Sequence, residues 1–248
     1  MNLLLFQDTR LEEIHQALLT AYGPPPPRDC WTPLKQLIYS MLSSRTKTET
    51  SHAVLRDLEQ HFGNWERLRD APVEEVLRII APVTFAEEKA PRVQKALHRI
   101  TRQNSGKLNL DFLHGQPIER VRKWLESFEG VGPKTSASVV NFSTIRGRAI
   151  AVDSHHHRIA LRLHLVPPST GAAETEQLLL AMAPPNWGPE MLDDHHSLIK
   201  LHGQRRCTKL EWQHSCPHCP LLSLCPTGKQ TTSEATAAGN TLTGNTLG

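Results

Sequence analysis

No stretch of this 248-residue chain approaches the roughly 20 consecutive apolar residues that a membrane helix needs. The N-terminal MNLLLFQDTR carries only the short apolar run LLLF, with no basic region before it, which is too little for a secretory signal. Apolar/polar alternation is nearly absent: RAIAVDS is the one β-like stretch, and it is too short to build a sheet. There is no repeat of solenoid length. Aromatic residues make up only 5% of the chain, and the net charge is only +3, with 14 histidines that add to it in mild acid. Such a balance permits a nucleic-acid partner without demanding one. The hydrophobic fraction of 38% and charged fraction of 21% are those of a soluble globular protein with a real core. The reading is therefore a reducing intracellular compartment, where clustered cysteines bind metal more often than they pair as disulfides.

What is present is helical. TRLEEIHQALLTAY sets Thr9 and Glu12 in capping-box spacing and puts Leu11, Ile14 and Leu18 on one face. GPPPPRDC, from Gly23, breaks that helix. TPLKQLIYSMLSS carries the wide stripe Leu34, Leu37, Ile38, Met41 and Leu42, and the next segment repeats it with Val54, Leu55, Leu58 and Phe62. DAPVEEVLRII predicts a helix capped by Asp70 with Pro72 in its first turn. Further helical stripes follow in EEKAPRVQKALHRI, IERVRKWLESF, TSASVVNFS, SHHHRIALRLHLV, AETEQLLLAMA and EMLDDHHSLIKLHG. The segment from Gly228 onward has too few apolar residues to offset the entropy of ordering and is expected to be disordered. Cys30 stands alone and is expected to be a half-buried free thiol.

Four of the five cysteines fall between Cys207 and Cys225, spaced C-x8-C-x2-C-x5-C as Cys207, Cys216, Cys219 and Cys225. Thiolates this close repel and oxidise unless something binds them. Structural zinc usually takes two short ligand pairs. Here one C-x2-C is flanked by a longer gap on each side, a wrap that suits a [4Fe-4S] cluster held by four thiolates. His214 and His218 keep zinc open, since either could replace a sulfur.

A second constellation lies in LESFEGVGPKTSASVV. Gly130 and Gly132 permit a tight turn with positive φ and close backbone approach between two helical patterns. The helix that follows begins with free N–H groups aimed out of the turn, a ready phosphate site. The pattern fits a helix-hairpin-helix, h-x-G-h-G-x-x-[ST]-[AS], with Thr135 at its hydroxyl position. Lys134 stands in the first turn of that helix, where the positive end disfavours the ammonium form and makes the amine more available as a nucleophile. Asp153, in AVDSHHHRI, is either the cap of the next helix, with Ser154 competing for that role, or a catalyst; the roles are compatible. His155, His156 and His157 are consecutive, so on a helix they point different ways and do not share one ion.

The hairpin EGVGPKT, then VDSHHHR, then HHSLIKLHGQRRC and the four cysteines resemble, in order and separation, the endonuclease III family of helix-hairpin-helix (HhH-GPD) DNA glycosylases. The resemblance extends through LIYSMLSSRTKTE and covers about residues 10 to 226. It implies an all-α, two-domain fold. A helical barrel with the hairpin would occupy 31–145, and 1–30 with 146–227 would form the domain of the iron–sulfur cluster, leaving 228–248 as a tail. It implies a monomer acting on double-stranded DNA with damaged bases or abasic sites, the DNA lying near the hairpin and Asp153. Lys134 matches the family's nucleophile, which expels the base and forms a Schiff base that permits β-elimination. Asp153 matches its essential carboxylate. The lysine favours the bifunctional glycosylase and AP lyase that removes oxidised pyrimidines.

Three departures from the family pattern stand out. Arg45 occupies a position where the family often has Gln, the residue that fills the gap left by the flipped base. The segment IAPVTFAEEKA is longer than the family's wedge loop, and either Val83 or Phe85 could serve as the wedge. The first cysteine gap is x8 where x6 is common, which costs little loop entropy; Lys209 and His214 in this loop could touch phosphate. His155, Arg205 and Arg206 are further candidate DNA contacts. Two alternatives share the fold: a monofunctional glycosylase, which would release a base without cutting the strand, and a catalytically weak DNA-binding paralogue.

Overall fold

The computed structural model describes residues 8–243, with side chains described through 236; the N-terminal apolar run and the end of the tail lie outside the described residues. The chain forms two compact units. Arg28–Ala149 makes one, and the residues up to Pro27 together with those from Ile150 make the other. No strand occurs among the described residues; a single isolated bridge pairs Trp31 with Ser143. No described helix is long and apolar enough to cross a membrane.

Helix α1 (Arg10–Tyr22) buries Leu11, Ile14 and Leu18 as its stripe requires. Thr9 precedes it but makes no capping bond; its hydroxyl donates to Glu13 Oε1 at 2.7 Å. The capping box expected with Glu12 is therefore absent, because Glu13 takes the hydroxyl.

The unit Arg28–Ala149 holds α2 (Pro33–Ser43), α3 (Thr48–Phe62), α4 (Trp65–Asp70), α5 (Val73–Ile80), α6 (Ala86–Gln103), α7 (Ile118–Glu126) and α8 (Pro133–Phe142). Thr32 caps α2 by accepting from the Lys35 amide, and Pro33 opens the helix where a missing N–H costs nothing. The predicted stripe Leu34, Leu37, Ile38, Met41 and Leu42 is buried, and α2 packs against α8, which is buried along nearly its whole length. Each leucine of that stripe contributes about 1.5–3 kcal/mol by leaving water. The ends of the unit meet where the Thr144 amide donates to Trp31 O at 2.9 Å. Asp70 does not cap α5; it ends α4 and pairs with Arg69, and Pro72 takes the cap position. Cys30 is exposed rather than half-buried.

The other unit adds α9 (Ser154–Arg162), α10 (Ala172–Met182), α11 (Pro189–Arg205) and α12 (Pro226–Thr243) to α1. Helices α1 and α9 both pack on α11 around Leu18, Ile159, Leu179, Leu192 and Leu198. The β-like RAIAVDS is buried irregular chain at Ala149–Val152 rather than a strand. From Gly228 the expected disorder is replaced by α12, whose Thr and Ser hydroxyls bond back one turn: Thr231 to Thr227 O, Thr232 to Gly228 O and Ser233 to Lys229 O. Such back-bonds satisfy the hydroxyls but do not favour a helix, so they do not account for α12.

Candidate functional site

The hairpin consists of α7, a tight turn and α8. Gly130 carries the turn: its φ is +82°, and a Cβ there would stand 3.3 Å from Arg92 Cδ. Gly132 is extended, with φ −101° and ψ −176°, and a Cβ would meet nothing within 4 Å. Positive φ is therefore required at the first glycine only. At the second, the missing side chain leaves the start of α8 bare, since no side chain caps it and Gly132 and Pro133 are exposed. That leaves first-turn amides facing outward at the positive helix end. The Thr135 side chain is buried, so a ligand would meet its backbone. Arg122 straps the two helices together, donating to Ser136 Oγ at 3.2 Å and Pro133 O at 3.2 Å while pairing with Glu126. Lys134 is half-buried in the first turn of α8.

Asp153 is the N-cap of α9. Its Oδ1 accepts from the His155 and His156 amides, both at 2.9 Å. Burial pushes this carboxyl upward, but the histidines His196, His156 and His155 and the amide bonds outweigh it, and the net direction is downward. Asp153 is thus a held, ionised carboxylate that caps α9. Ser154, the competing candidate, is the first helical residue.

The three consecutive histidines diverge. His155 Nδ1 meets Arg158 Nη2 at 3.0 Å, and its ring lies where a Cβ on Gly203 would sit. His157 Nε2 reaches Thr170 O at 2.8 Å. His156 turns inward and is fully buried; burial lowers its pKa to about 4, with Asp153 opposing. Its ring lies 5.5 Å from His195, which in turn stands 5.7 Å from His15 and 5.3 Å from Trp187. This buried histidine cluster was not foreseen, because its members come from α1, α9 and α11.

Cys207, Cys216, Cys219 and Cys225 line one cavity of about 30 Å³ with Ile159, Leu163, Trp212 and Leu221. Donors are aimed at the sulfurs. Arg162 Nη1 donates to Cys207 Sγ at 3.1 Å, and the Gly228 amide donates to Cys225 Sγ at 3.3 Å. His202 Nε2 lies 3.6 Å from Cys219 Sγ. The Arg162 guanidinium also stacks 3.9 Å from the Trp212 ring centroid. Burial pushes the Cys219 thiol up to about 11; the Leu221 amide opposes this and the other three sulfurs add to it. Four thiolates here call for a compensating cation. Among the described residues no three His, Cys, Asp or Glu side chains converge as a single ion requires. Arg158 ties Cys207 to α9, donating to Cys207 O at 2.8 Å and Gly203 O at 3.0 Å. Arg158 and Arg162 escaped the sequence reading, although their one-turn spacing was visible. Lys209 and His214 are exposed in the x8 loop, with Leu210 beside them 75% exposed; Arg206 bonds His218 O.

In the Arg28–Ala149 unit, Arg45 and Phe85 stand together. Val83 is only 3% exposed, its amide bonded to Ile80 O, so it cannot serve as a wedge. Phe85 is 50% exposed and holds a left-handed φ of +60° at the head of α6. Arg45 is also exposed, at φ +57°, with its guanidinium 5.6 Å from the Phe85 ring centroid. Both line a hollow of about 360 Å³ with Met41, Lys89, Arg92 and Gly130.

Comparison with known proteins agrees with this architecture. A protein of Arabidopsis thaliana named as a DNA glycosylase is 29% identical over 69% of this chain and 56% of its own length. Endonuclease III of Bacillus subtilis is 28% identical over 80% of this chain and 83% of that protein. The chain thus spans little more than half of the plant relative and most of the bacterial one. A solved endonuclease III–DNA complex superposes with a TM-score of 0.75 at 23% identity, covering 92% of this chain and all of that one, which establishes the fold. The family model for the HhH-GPD superfamily of base excision DNA repair proteins matches residues 38–185, from α2 through the hairpin and Asp153. With its all-helical units and bare hairpin helix, the chain belongs to the HhH-GPD superfamily of base excision DNA repair proteins, in its endonuclease III-like branch.

Proposed function

We propose that the protein is a base excision repair DNA glycosylase with AP lyase activity, acting as a monomer on double-stranded DNA that carries oxidised pyrimidines or abasic sites. The observation that carries this reading is Lys134 in the first turn of an uncapped helix that follows the turn at the left-handed Gly130. Backbone amides at that helix start bind a phosphate and hold one strand without reading its sequence. The target nucleotide leaves the stack, because its glycosidic carbon cannot be reached inside the duplex. The neutral amine of Lys134 attacks C1′ as the bond to the base breaks; the base departs with the electron pair and takes up a proton. The C1′–O4′ bond then opens to give a Schiff base. Loss of a 2′ proton and cleavage of the C3′–O bond cut the strand on the 3′ side. Asp153, ionised and fixed by two amides, stabilises positive charge developing on the sugar and carries protons in these steps. Arg45, Gly130, Gly132, Thr135, His155 and Lys209 are the contacts proposed toward DNA.

Cys207, Cys216, Cys219 and Cys225 would hold a [4Fe-4S] cluster. The four sulfurs on one cavity, with Arg162 and the Gly228 amide donating to two of them, support it. Bound there, the cluster supplies four iron–thiolate bonds that fasten the loop Cys207–Cys216 and the start of α12. The compartment proposed is the cytoplasm, where such thiolates stay reduced.

Borohydride trapping tests the reaction. Duplex DNA with an oxidised pyrimidine is incubated with wild type and with Lys134→Gln in the presence of borohydride. A protein–DNA adduct in wild type, absent in the variant, is expected. Base release by wild type without any adduct would assign a monofunctional glycosylase. Binding without release would assign a DNA-binding paralogue.

A further inference from the structure

Lys89 is a buried lysine that bonds to no carboxylate. It is 7% exposed, on the first turn of α6, and its Nζ donates to Leu42 O at 2.7 Å, Ser44 O at 2.5 Å and Thr46 Oγ1 at 3.4 Å. Glu88, its neighbour, pairs with Arg92 instead, and Arg92 also reaches Glu129. The two carbonyls that Lys89 takes lie at the C-terminal end of α2, where backbone acceptors lack helical donors and the dipole is negative. An ammonium with three donors matches those three acceptors. Burial holds its pKa down to about 8, so the cation is costly here, where an apolar side chain of the same length would pack at less cost.

The acceptors show what the cation secures. Ser44 and Thr46 flank Arg45, which is held at φ +57°. The Thr46 hydroxyl also accepts from the Thr84 amide at 3.2 Å. Thr84 precedes Phe85, which is likewise left-handed. A lysine and a threonine hydroxyl thus join two turns from distant parts of the chain, each presenting a strained, exposed, non-glycine residue. Such conformations persist only where their surroundings over-determine them.

We propose that Lys89 is a positioning residue for damaged-DNA engagement, fastening the Arg45 turn to the Phe85 turn so that both side chains meet the duplex as one preorganised unit. The proposal rests on the glycosylase reading above. Its consequence is selective: undamaged duplex, gripped through phosphates, does not need the paired turns, whereas a site with a missing base does.

The test uses the full-length protein and two duplexes, one undamaged and one carrying a tetrahydrofuran abasic analogue, with affinity read by fluorescence anisotropy. Lys89→Met keeps the packing and removes the donors. It should bind undamaged duplex as wild type does and lose about tenfold on the abasic duplex, the scale expected from lost preorganisation. Thr46→Val, which leaves Lys89 in place, should lose part of that selectivity and guards against a misfolded lysine variant; thermal melts report folding of both. In an Arg45→Ala/Phe85→Ala background, Lys89→Met should have no further effect, because it acts through those two side chains. An equal loss on both duplexes, a full effect in the double-alanine background, or unchanged abasic binding in both single variants would overturn the proposal. Wild type that binds the two duplexes equally would overturn the glycosylase reading itself, and the proposal with it.

Discussion

Lowering the pH should weaken the unit that contains Asp153, and His156 is the residue through which the effect can be measured. In the folded state its pKa is lowered from 6.5 to about 4, first by burial, with Asp153 pulling the other way. Among the described residues neither its Nδ1 nor either ring nitrogen of His195 finds a partner, so a proton added there gains no hydrogen bond to compensate. The unfolded chain therefore binds the extra proton between about pH 6.5 and 4, and stability rises with pH across that window. The contribution is complete above the unfolded pKa and is lost as the pH falls toward the folded one. At pH 5 the unfolded histidine is almost wholly charged and the folded one about a tenth charged, which costs about 2 kcal/mol relative to neutral pH. For a chain of this size that is a fall in melting temperature of roughly 4–8 °C. His195 is also held well below its usual value, by burial and then by His156, His15 and His196, and adds in the same direction. Thermal melts of wild type and His156→Leu from about pH 7.5 to pH 5 give the comparison. The variant's absolute stability does not matter; its loss on acidification should be smaller by about 2 kcal/mol. Parallel curves for the two proteins would refute the reasoning, because they would mean that His156 protonates as easily folded as unfolded.

Asp153→Asn keeps an acceptor for the cap but no carboxylate, so DNA binding should hold while single-turnover base excision falls by about 10²–10⁴; near-normal turnover would reduce Asp153 to a cap. Ending the chain at Thr227 removes the Gly228 amide from Cys225 Sγ and should lower both iron content and melting temperature, whereas ending it at Thr236 should leave both unchanged. Equal behaviour of the two truncations would mean that the start of α12 supports nothing. Trapping with Lys134→Gln and the Lys89 affinity series complete the set.

How much was legible in the sequence depended on how far apart in the chain the cooperating groups stand. Periodicity located the helices, since each stripe is local: the five apolar residues of α2 are all buried as their spacing demands. The cysteine cluster and the hairpin could be seen for the same reason, each falling within one short window. Asp153 could be placed at a helix start, although the choice between it and Ser154 as the cap needed its two amide bonds. What escaped was long-range. Nothing near Val83 and Phe85 in the chain says which of them turns inward, and the bond from the Thr84 amide to Thr46, which ties this loop to the Arg45 turn, spans 38 residues. Lys89 reads as one charge among several on an amphipathic helix. The tail misled by composition: its few apolar residues argued for disorder, yet Pro226–Thr243 forms α12.

Three helix ends bear on the function, and each is finished differently. The α8 start is left bare, which makes its amides available to an anion from outside. The α9 start is closed by Asp153, whose carboxylate is thereby fixed in direction and kept ionised. The α2 end is closed by a cation from another helix, Lys89, at a cost that a simple cap from the chain's own next residue would avoid. Helix ends carry unsatisfied backbone groups, so whatever satisfies them is held firmly. A fold built only of helices has no strand edges or sheet crevices in which to seat reactive groups, and its termini take over that task. The roles proposed for Lys134, Asp153 and Lys89 all fall at such ends, whereas Lys95, which reaches only the exposed Glu129 from mid-helix, should tolerate substitution by alanine with no change in binding or excision.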